Sequence, residues 1–327
     1  WVNKPMFGGI SFSHQQKFGN FDFIISGKHF ADEGYQKDHF SKRTRLNTNM
    51  RYRSKKVEGL SYGVNASFMA TSKSELLLWR SEKFQGANGN DSVVIYPYEA
   101  ADGTVSLNEG HRFNIDPFIK YYKKNGSRYS ILTRLFQTSN RVPKDTSKNN
   151  KGTIYYGEYR YQTDIGKYTK LATGLANSYS EVESNLFGNH YSNNVAGYVQ
   201  ADNDFGKLKT SLGIRTEYYR VDTTQTESMF EIGNTEIPVR PVFRAGANYE
   251  IAEHTNMRAS FGQGYRFPSI GEKYTATSLG GSINIFPNPK LESETGWSTE
   301  IGARQGFKIG TDWTGFADFA AFYTRYN

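Results

Sequence analysis

The run Leu208-Lys209-Thr210-Ser211-Leu212-Gly213-Ile214-Arg215-Thr216-Glu217-Tyr218-Tyr219 alternates. Leu208, Thr210, Leu212, Ile214, Thr216 and Tyr218 are apolar or β-branched, whereas Lys209, Ser211, Arg215 and Glu217 are polar. Side chains alternate faces along a strand, so this run is a strand with one apolar and one polar surface.

The same split recurs along the chain. Leu46, Thr48, Met50 and Tyr52 oppose Arg43, Arg45, Asn47, Asn49, Arg51 and Arg53. Leu60, Tyr62, Val64, Ala66 and Phe68 oppose Ser61, Gly63, Asn65 and Ser67. Phe113, Ile115, Ile119 and Tyr121 oppose Asn114, Asp116 and Lys120, and Trp297, Thr299, Ile301 and Ala303 oppose Ser298, Glu300 and Arg304. About fourteen strands follow, at 6–15, 21–30, 42–54, 60–71, 111–123, 127–139, 152–163, 168–180, 191–202, 207–221, 239–252, 255–267, 296–308 and 311–325. The first is the weakest, because Phe7, Gly9, Ser11 and Ser13 barely alternate.

The connections alternate short and long. Short ones include Lys17 to Asn20, Lys55 to Gly59, Lys124-Asn125-Gly126, Ile165 to Lys167, Phe205-Gly206, Glu253-His254 and Gly310-Thr311. Asn125-Gly126 is a hairpin signal, since both residues tolerate positive φ. The long ones are 31–41, 72–110, 140–151, 181–190, 222–238 and 268–295. A soluble β-sandwich also alternates its faces. Tight turns on one side, long polar loops on the other and strands of roughly ten or more residues match a transmembrane barrel instead. The expected fold is therefore an all-β antiparallel transmembrane barrel. Its apolar face meets lipid, its polar face lines the lumen, and Tyr52, Tyr62, Tyr121, Tyr129, Tyr218, Tyr249 and Trp297 fit interfacial girdles.

Composition agrees. The 327 residues include 23 Tyr, 23 Phe, 4 Trp and 32 Gly, with a net charge of +8 and no Cys. The absence of Cys excludes a disulfide scaffold, thiol catalysis and Cys-ligated metal. No apolar run approaches the roughly 18 residues of a spanning helix; Leu76-Leu77-Leu78-Trp79 falls far short. A mean hydropathy of −0.67 is compatible with membrane residence when half of each strand and every loop is wet. The basic residues fall on lumen faces and loops, so the charge does not point to nucleic acid. Loop Lys and Arg are candidates for contact with lipopolysaccharide.

Residues 264–302 carry the most specific motif. Gly264-Tyr265-Arg266-Phe267-Pro268-Ser269-Ile270-Gly271-Glu272-Lys273-Tyr274 leads to Phe286-Pro287-Asn288-Pro289-Lys290-Leu291-Glu292-Ser293-Glu294 and then Glu300-Ile301-Gly302. Pro268 removes a ladder donor and ends its strand. Pro289 forces Asn288 into an extended or turn conformation. Glu272 and Glu294 are placed to tie the loop base to Arg266 or nearby basic groups. We read Tyr265, Arg266, Pro268, Glu272, Tyr274, Asn288, Pro289, Leu291 and Glu294 as a loop anchor rather than ligand contacts.

This segment resembles the signature of TonB-dependent outer-membrane receptors. Phe267, Lys273 and Ser293 depart from the usual Ala, apolar residue and Pro. The resemblance implies a barrel of twenty-two strands filled by an N-terminal plug, with substrate bound on extracellular loops and plug apices. It implies the TonB–ExbB–ExbD complex as energy-transducing partner, reached through the plug, with a surface lipoprotein as a further candidate partner. Residues 1–327 are then expected to be part of the barrel, truncated at both ends, with the plug and the C-terminal strands outside the chain. If short turns are periplasmic, residues 6–15 run downward, so the chain is expected to start at the second strand or later.

The candidate substrate-binding residues are loop aromatics and histidines: Tyr35, His39, Trp79, Phe84, Tyr96, Tyr98, Phe187, His190, Tyr191, Phe230, Tyr274 and Phe286. Aromatics stack on planar ligands, and they also pack loops onto each other. The inward basic residues Arg43, Arg45, Arg134, Arg215, Arg244 and Arg304 admit two readings. One is an electropositive lumen that attracts anionic chelates. The other, which we expect, is pairing with acids of the plug or of neighbouring strands. Asn88, Asn90, Asp91 and Asp102 are candidate oxygens for a loop Ca²⁺, although their spacing matches no EF-hand; no other cofactor is expected. His14, His29, His111 and His254 are scattered, and no catalytic set assembles, so an enzyme is not expected. Haem receptors of the resembled family place a His between the two halves of the signature, and 269–287 contains none. The expected function is uptake of a scarce nutrient, first a ferric siderophore, with cobalamin as the alternative cargo. A passive porin-like channel is the alternative of another class.

Overall fold

The computed structural model describes residues 5–326, apart from 77, 86–90, 223, 226–229, 233–234, 238 and 280–282. Fourteen long strands, each paired antiparallel with the next, form one sheet. They are β1 (Phe7–Phe18), β2 (Phe21–Asp32), β3 (Ser41–Arg53), β4 (Leu60–Leu76), β5 (Val105–Tyr122), β6 (Arg128–Arg141) and β7 (Asn150–Ile165). The series continues with β8 (Thr169–Ser184), β9 (His190–Asp204), β10 (Leu208–Val221), β11 (Arg240–Ala252), β12 (Thr255–Arg266), β13 (Glu294–Ile309) and β14 (Trp313–Tyr326). The expected strands thus fall in place, most of them extended by a few residues toward the long loops. The weakly alternating first strand pairs along its full length, from Phe7 opposite Asp32 to Phe18 opposite Phe21, because its neighbour supplies the ladder.

The register fixes the two faces. Arg215 lies opposite Tyr198 and Glu217 opposite Ala196 on β9. Asn49 pairs across to Asn65, Asn65 to Asp116, and Arg134 to Tyr156. These polar positions share one face. The other face carries Ile115, Ile119, Ile131, Leu175, Val195, Val199, Leu212, Ile214 and Ile301, all exposed. Among the described residues the buried apolar set is only Val142, Ala196, Val221, Val242 and Ile270. A sandwich buries its apolar face against a second sheet. Here that face is bare over the whole sheet, as a surface solvated by lipid must be.

Aromatic rings band the apolar face at two heights. Near the short turns, Tyr52 lies 5.5 Å from Tyr62, Tyr121 6.1 Å from Tyr129 and Tyr129 4.9 Å from Tyr161. Toward the long loops, Tyr179 lies 6.3 Å from Tyr155 and 6.1 Å from Tyr191. Rings with an apolar body and a polar tip are favoured where hydrocarbon meets water.

Pro117 interrupts the sheet at one point. The β5–β6 pairing passes from Ile115–Leu135 to Phe118–Leu132 without a bridge at Asp116 or Pro117. Thr133 Oγ1 donates to Pro117 O at 3.1 Å instead, and Asp116 accepts two bonds from Arg134, at 2.8 and 2.7 Å.

The long loops hold structure of their own. Trp79–Gln85 pairs with Asp91–Ala100, Phe230–Ile232 with Thr235–Ile237, and Thr277–Leu279 with Ile283–Ile285. A short helix, α1, spans Ile270–Tyr274. At the short turns Asn125 keeps an ordinary φ and only Gly126 turns positive, at +88°. Six of the seven short turns use a glycine at positive φ, and the seventh uses His254, at 64°. For a residue with a Cβ this conformation costs roughly 1–2 kcal/mol. His254→Gly is therefore expected to raise the melting temperature of the detergent-solubilised protein. Gly59→Ala is expected to lower it, because at φ 81° its Cβ would fall 1.9 Å from Tyr122 O. Circular dichroism in the β-sheet band, followed on heating, checks both.

Candidate functional site

Strand β12 ends at Arg266 and the chain turns through Pro268 into α1. Ser269 caps that helix. Its Oγ accepts from Glu272 N at 3.3 Å, and Glu272 Oε2 accepts from Ser269 N at 2.8 Å, a reciprocal capping box. The second carboxylate oxygen of Glu272 accepts from Arg266 Nη1 at 2.6 Å. Arg266 also donates Nη2 and Nε to the two oxygens of Glu294, at 2.9 and 3.1 Å. One guanidinium thus joins the end of β12, the start of α1 and the start of β13. The Ser269 backbone N–H, and then Arg266, hold the Glu272 carboxyl at about 2, well below its ordinary 4.5.

Lys273, where the resembled motif has an apolar residue, is buried. Its Nζ donates to Pro289 O at 3.3 Å, and Asn288 N donates to Lys273 O at 2.7 Å. The lysine therefore closes the far half of the motif onto the near half.

Two aromatic stacks rise from this anchor. Tyr219, the last inward residue of the alternating run in β10, stacks on Phe267 at 4.3 Å and 16°. Tyr265 meets Phe267 edge-on at 4.8 Å, with Arg240 5.3 Å above the Tyr265 ring. Beside them His190 stacks on Tyr274 at 3.8 Å and 13°. His190 Nδ1 donates to Asp222 Oδ2 at 2.8 Å, while Asp222 Oδ1 accepts from Tyr191 N at 3.0 Å. Ala276 N donates to Leu186 O at 3.1 Å. Segments 181–190, 219–222 and 265–276 are thereby pinned together. Burial raises the Tyr274 phenol above its ordinary range, because an apolar setting disfavours phenolate.

The structure gathers some sequence candidates and separates others. His190, Tyr191 and Tyr274 belong to this assembly, and Phe187 sits in the turn whose backbone N–H donates to Ser184 Oγ at 3.3 Å. Tyr35, His39, Tyr96 and Tyr98 belong to a second group. There Lys37 N donates to Tyr98 O at 3.0 Å, Gln36 Nε2 donates to Tyr35 OH at 3.2 Å, and Tyr96 OH donates to Glu82 at 3.1 Å. Arg80 lies over the Tyr96 ring at 4.8 Å and pairs with Glu82 and Glu99. Trp79 and Phe84 stand in the same hairpin, both exposed. Phe286 joins neither group and is 79% exposed. Of the Ca²⁺ candidates, Asn88 and Asn90 lie outside the described residues, as does the side chain of Asp91; so does the side chain of Phe230, a substrate-binding candidate. Among the described residues no group of three acids or histidines could hold a metal. Tyr219, Phe267, Asp222 and Arg240 escaped the sequence reading; Tyr219 ends an alternating run, but nothing along the chain brings Asp222 to His190.

The inward arginines divide. Arg134 pairs with Asp116, and Arg215 with Glu217. Arg51 and Arg53 share Asp22 at 2.7 and 2.5 Å, and Arg160 meets Glu158 at 2.9 Å. Arg258 bridges Glu300 and Asp318, at 2.8 and 2.9 Å. The pairs of Arg134, Arg51, Arg53 and Arg258 satisfy the cross-strand reading, whereas Arg215 and Arg160 each meet an acid two residues away on their own strand. Arg304 lies over the Phe316 ring at 4.0 Å. Arg43, Arg45 and Arg244 have no carboxylate partner among the described residues.

Two outcomes follow. The Glu272 carboxylate is depressed, so its contribution is complete above its ordinary pH 4.5 and is lost as pH falls through about 2. Pepsin cleavage within 269–290 should therefore quicken progressively as pH falls from about 4.5 to about 2, while Glu272→Gln is cleaved quickly throughout that range. Asp222→Ala removes the acceptor of both His190 and Tyr191 N, each bond worth about 1–3 kcal/mol. Amide exchange at 190–191 should quicken accordingly in hydrogen-exchange mass spectrometry, with exchange in β2 unchanged.

The chain was compared with known proteins. The family model described as TonB dependent receptor-like, beta-barrel, matches residues 8–327. No curated protein sequence matches. Among solved structures, the siderophore receptor PirA from Pseudomonas aeruginosa superposes with a TM-score of 0.72 at 11% identity, covering 98% of this chain and 52% of that one. The ferric-catecholate import receptor Fiu from K12 E. coli gives 0.69 at 11% identity, covering 98% and 57%. The ferric yersiniabactin uptake receptor FyuA from Yersinia pestis gives 0.65 at 15% identity, covering 98% and 54%. The chain spans about half the length of these receptors. The bare apolar face, the two aromatic belts, the alternating short turns and long loops and the family match lead to one conclusion: this chain belongs to the TonB-dependent receptors of the outer membrane, as part of their β-barrel.

Proposed function

We propose that this chain is the barrel wall of a receptor that takes up a ferric siderophore, with energy delivered by the TonB–ExbB–ExbD complex through a plug domain. The observation that carries this reading is the pairing of aromatic loop clusters with an arginine-lined inner face. Ferric chelates present flat, conjugated ligand arms around a metal. Tyr, His and Phe faces suit such arms, and guanidinium groups suit their oxygens. The stacked anchor at His190 and Tyr274 and the loop group at Tyr35 and Tyr98 are the parts of the wall that such a ligand would meet. Binding by receptors solved in complex with ferric siderophores supports the reading by family relation alone.

The chemistry asked of this wall is capture, not catalysis. The Arg266–Glu272–Glu294 anchor fixes where the loop leaves the barrel, so the rings above it keep a defined spacing. A preorganised site loses less freedom on binding.

The reading is tested by deleting the reading frame that contains this chain and growing the strain with iron held by a chelator. Iron-limited growth and uptake of radioactive iron from siderophore-containing medium should both fall, and both should return with the intact gene. Normal iron uptake combined with lost uptake of labelled cobalamin would overturn it in favour of the other cargo.

A further inference from the structure

Not every cation on the inner face is neutralised, and while Arg244 and Arg304 stand apart, a group of the exceptions are neighbours. Lys28 on β2 lies directly opposite Arg45 on β3. Arg45 lies opposite Met69 on β4, and Met69 opposite Arg112 on β5. Arg43 is two residues from Arg45 and shares its face. All four are exposed. Among the described residues none forms an ion pair, whereas seven other inner-face arginines meet a carboxylate. Three of the four lean on apolar partners. Lys28 Nζ is 6.0 Å from the Phe30 ring centroid, Arg112 is 5.8 Å from that of Phe136, and Arg45 Nη2 is 3.5 Å from Met69 Sδ.

Like charges directly opposite in a sheet repel. A wall that pairs seven of its arginines and leaves a cross-strand Lys–Arg couple bare is therefore poised for an anion from the lumen. Its height is informative. Arg43 and Arg45 lie at the long-loop end of β3, beneath loop 33–40, which carries Tyr35 and is tied by Lys37 to Tyr98. Cations below and rings above make a step for a ligand that is both anionic and conjugated.

We propose that Lys28, Arg43, Arg45 and Arg112 are an anion-recognition step, which makes the cargo a net-negative ferric chelate of the catecholate or carboxylate class rather than a neutral trihydroxamate. This rests on the siderophore reading above. The competing occupant of the same step is a carboxylate cluster of the plug.

The test uses the complete receptor, purified in detergent with its plug, and follows quenching of intrinsic fluorescence. The probes are ferric tris-catecholate, ferric citrate and a neutral ferric trihydroxamate. Wild type should prefer a negative chelate, with an affinity that weakens as salt rises. The Lys28→Gln/Arg45→Gln/Arg112→Gln variant should bind that chelate at least about tenfold more weakly, the loss of about 1.4 kcal/mol, with its melting temperature unchanged. Arg45→Lys, which keeps the charge, should retain most of the affinity and guards against a folding defect in the triple variant. Preference for the neutral trihydroxamate would overturn the anion step and leave the siderophore reading standing. So would a triple variant that melts lower while binding the negative chelate as wild type does, since the step would then hold the plug. Failure of every ferric chelate to bind would overturn both.

Discussion

Lipid offers no hydrogen bonds, and that single constraint shapes the rest of the chain. Each backbone N–H and C=O within the bilayer must be satisfied by a neighbouring strand, at a cost of several kcal/mol for each one left unmet. The response is one continuous antiparallel meander in which each strand hands its ladder to the next. Even the first strand, whose side chains say little, is held residue for residue by its neighbour. Where the ladder cannot be completed, at Pro117, a threonine hydroxyl takes up the free carbonyl. The register then follows. A slip of one residue in β10 would turn Arg215 and Glu217 toward lipid and Leu212 and Ile214 toward the lumen.

With the apolar face committed to lipid, packing in the usual sense is displaced. The described residues bury few apolar side chains. Order on the inner face comes from charge and on the loop side from rings. Arg266 is the junction of the two. It holds the strand end, the helix cap and the next strand together, and the stacks of Tyr219 on Phe267 and His190 on Tyr274 stand on that base. On the short-turn side the geometry is set by backbone alone, through glycines at positive φ and one histidine that tolerates it.

The fold was legible because its signal is local. Alternation at Leu208–Tyr219 needs no knowledge of partners, and the rhythm of tight turns and long loops separates a barrel from a sandwich. The hairpin of Trp79–Gln85 with Asp91–Ala100 was not legible. Val93, Val94 and Ile95 run together and Pro97 breaks the alternation, so the segment reads as loop, and its pairing is made off the main sheet. Helix α1 had a visible cue in Ser269 and Glu272, three apart, but a helix of five residues leaves no apolar period to find.

The sequence by itself determined which residues face lipid and which face the lumen, because the two-residue period of a strand is written into the chain. It also placed Arg266 within reach of Glu272 and Glu294, since a loop anchored by prolines at both ends brings its bases together. Only the tertiary structure decided which inner arginines are neutralised and which stand bare, and which loop rings meet. His190 and Asp222 lie 32 residues apart, and Tyr274 lies farther along still. Lys28 and Arg45 became neighbours only once β2 and β3 took their register. Such contacts depend on strand registry and loop closure, which are properties of the assembled sheet and not of any one segment.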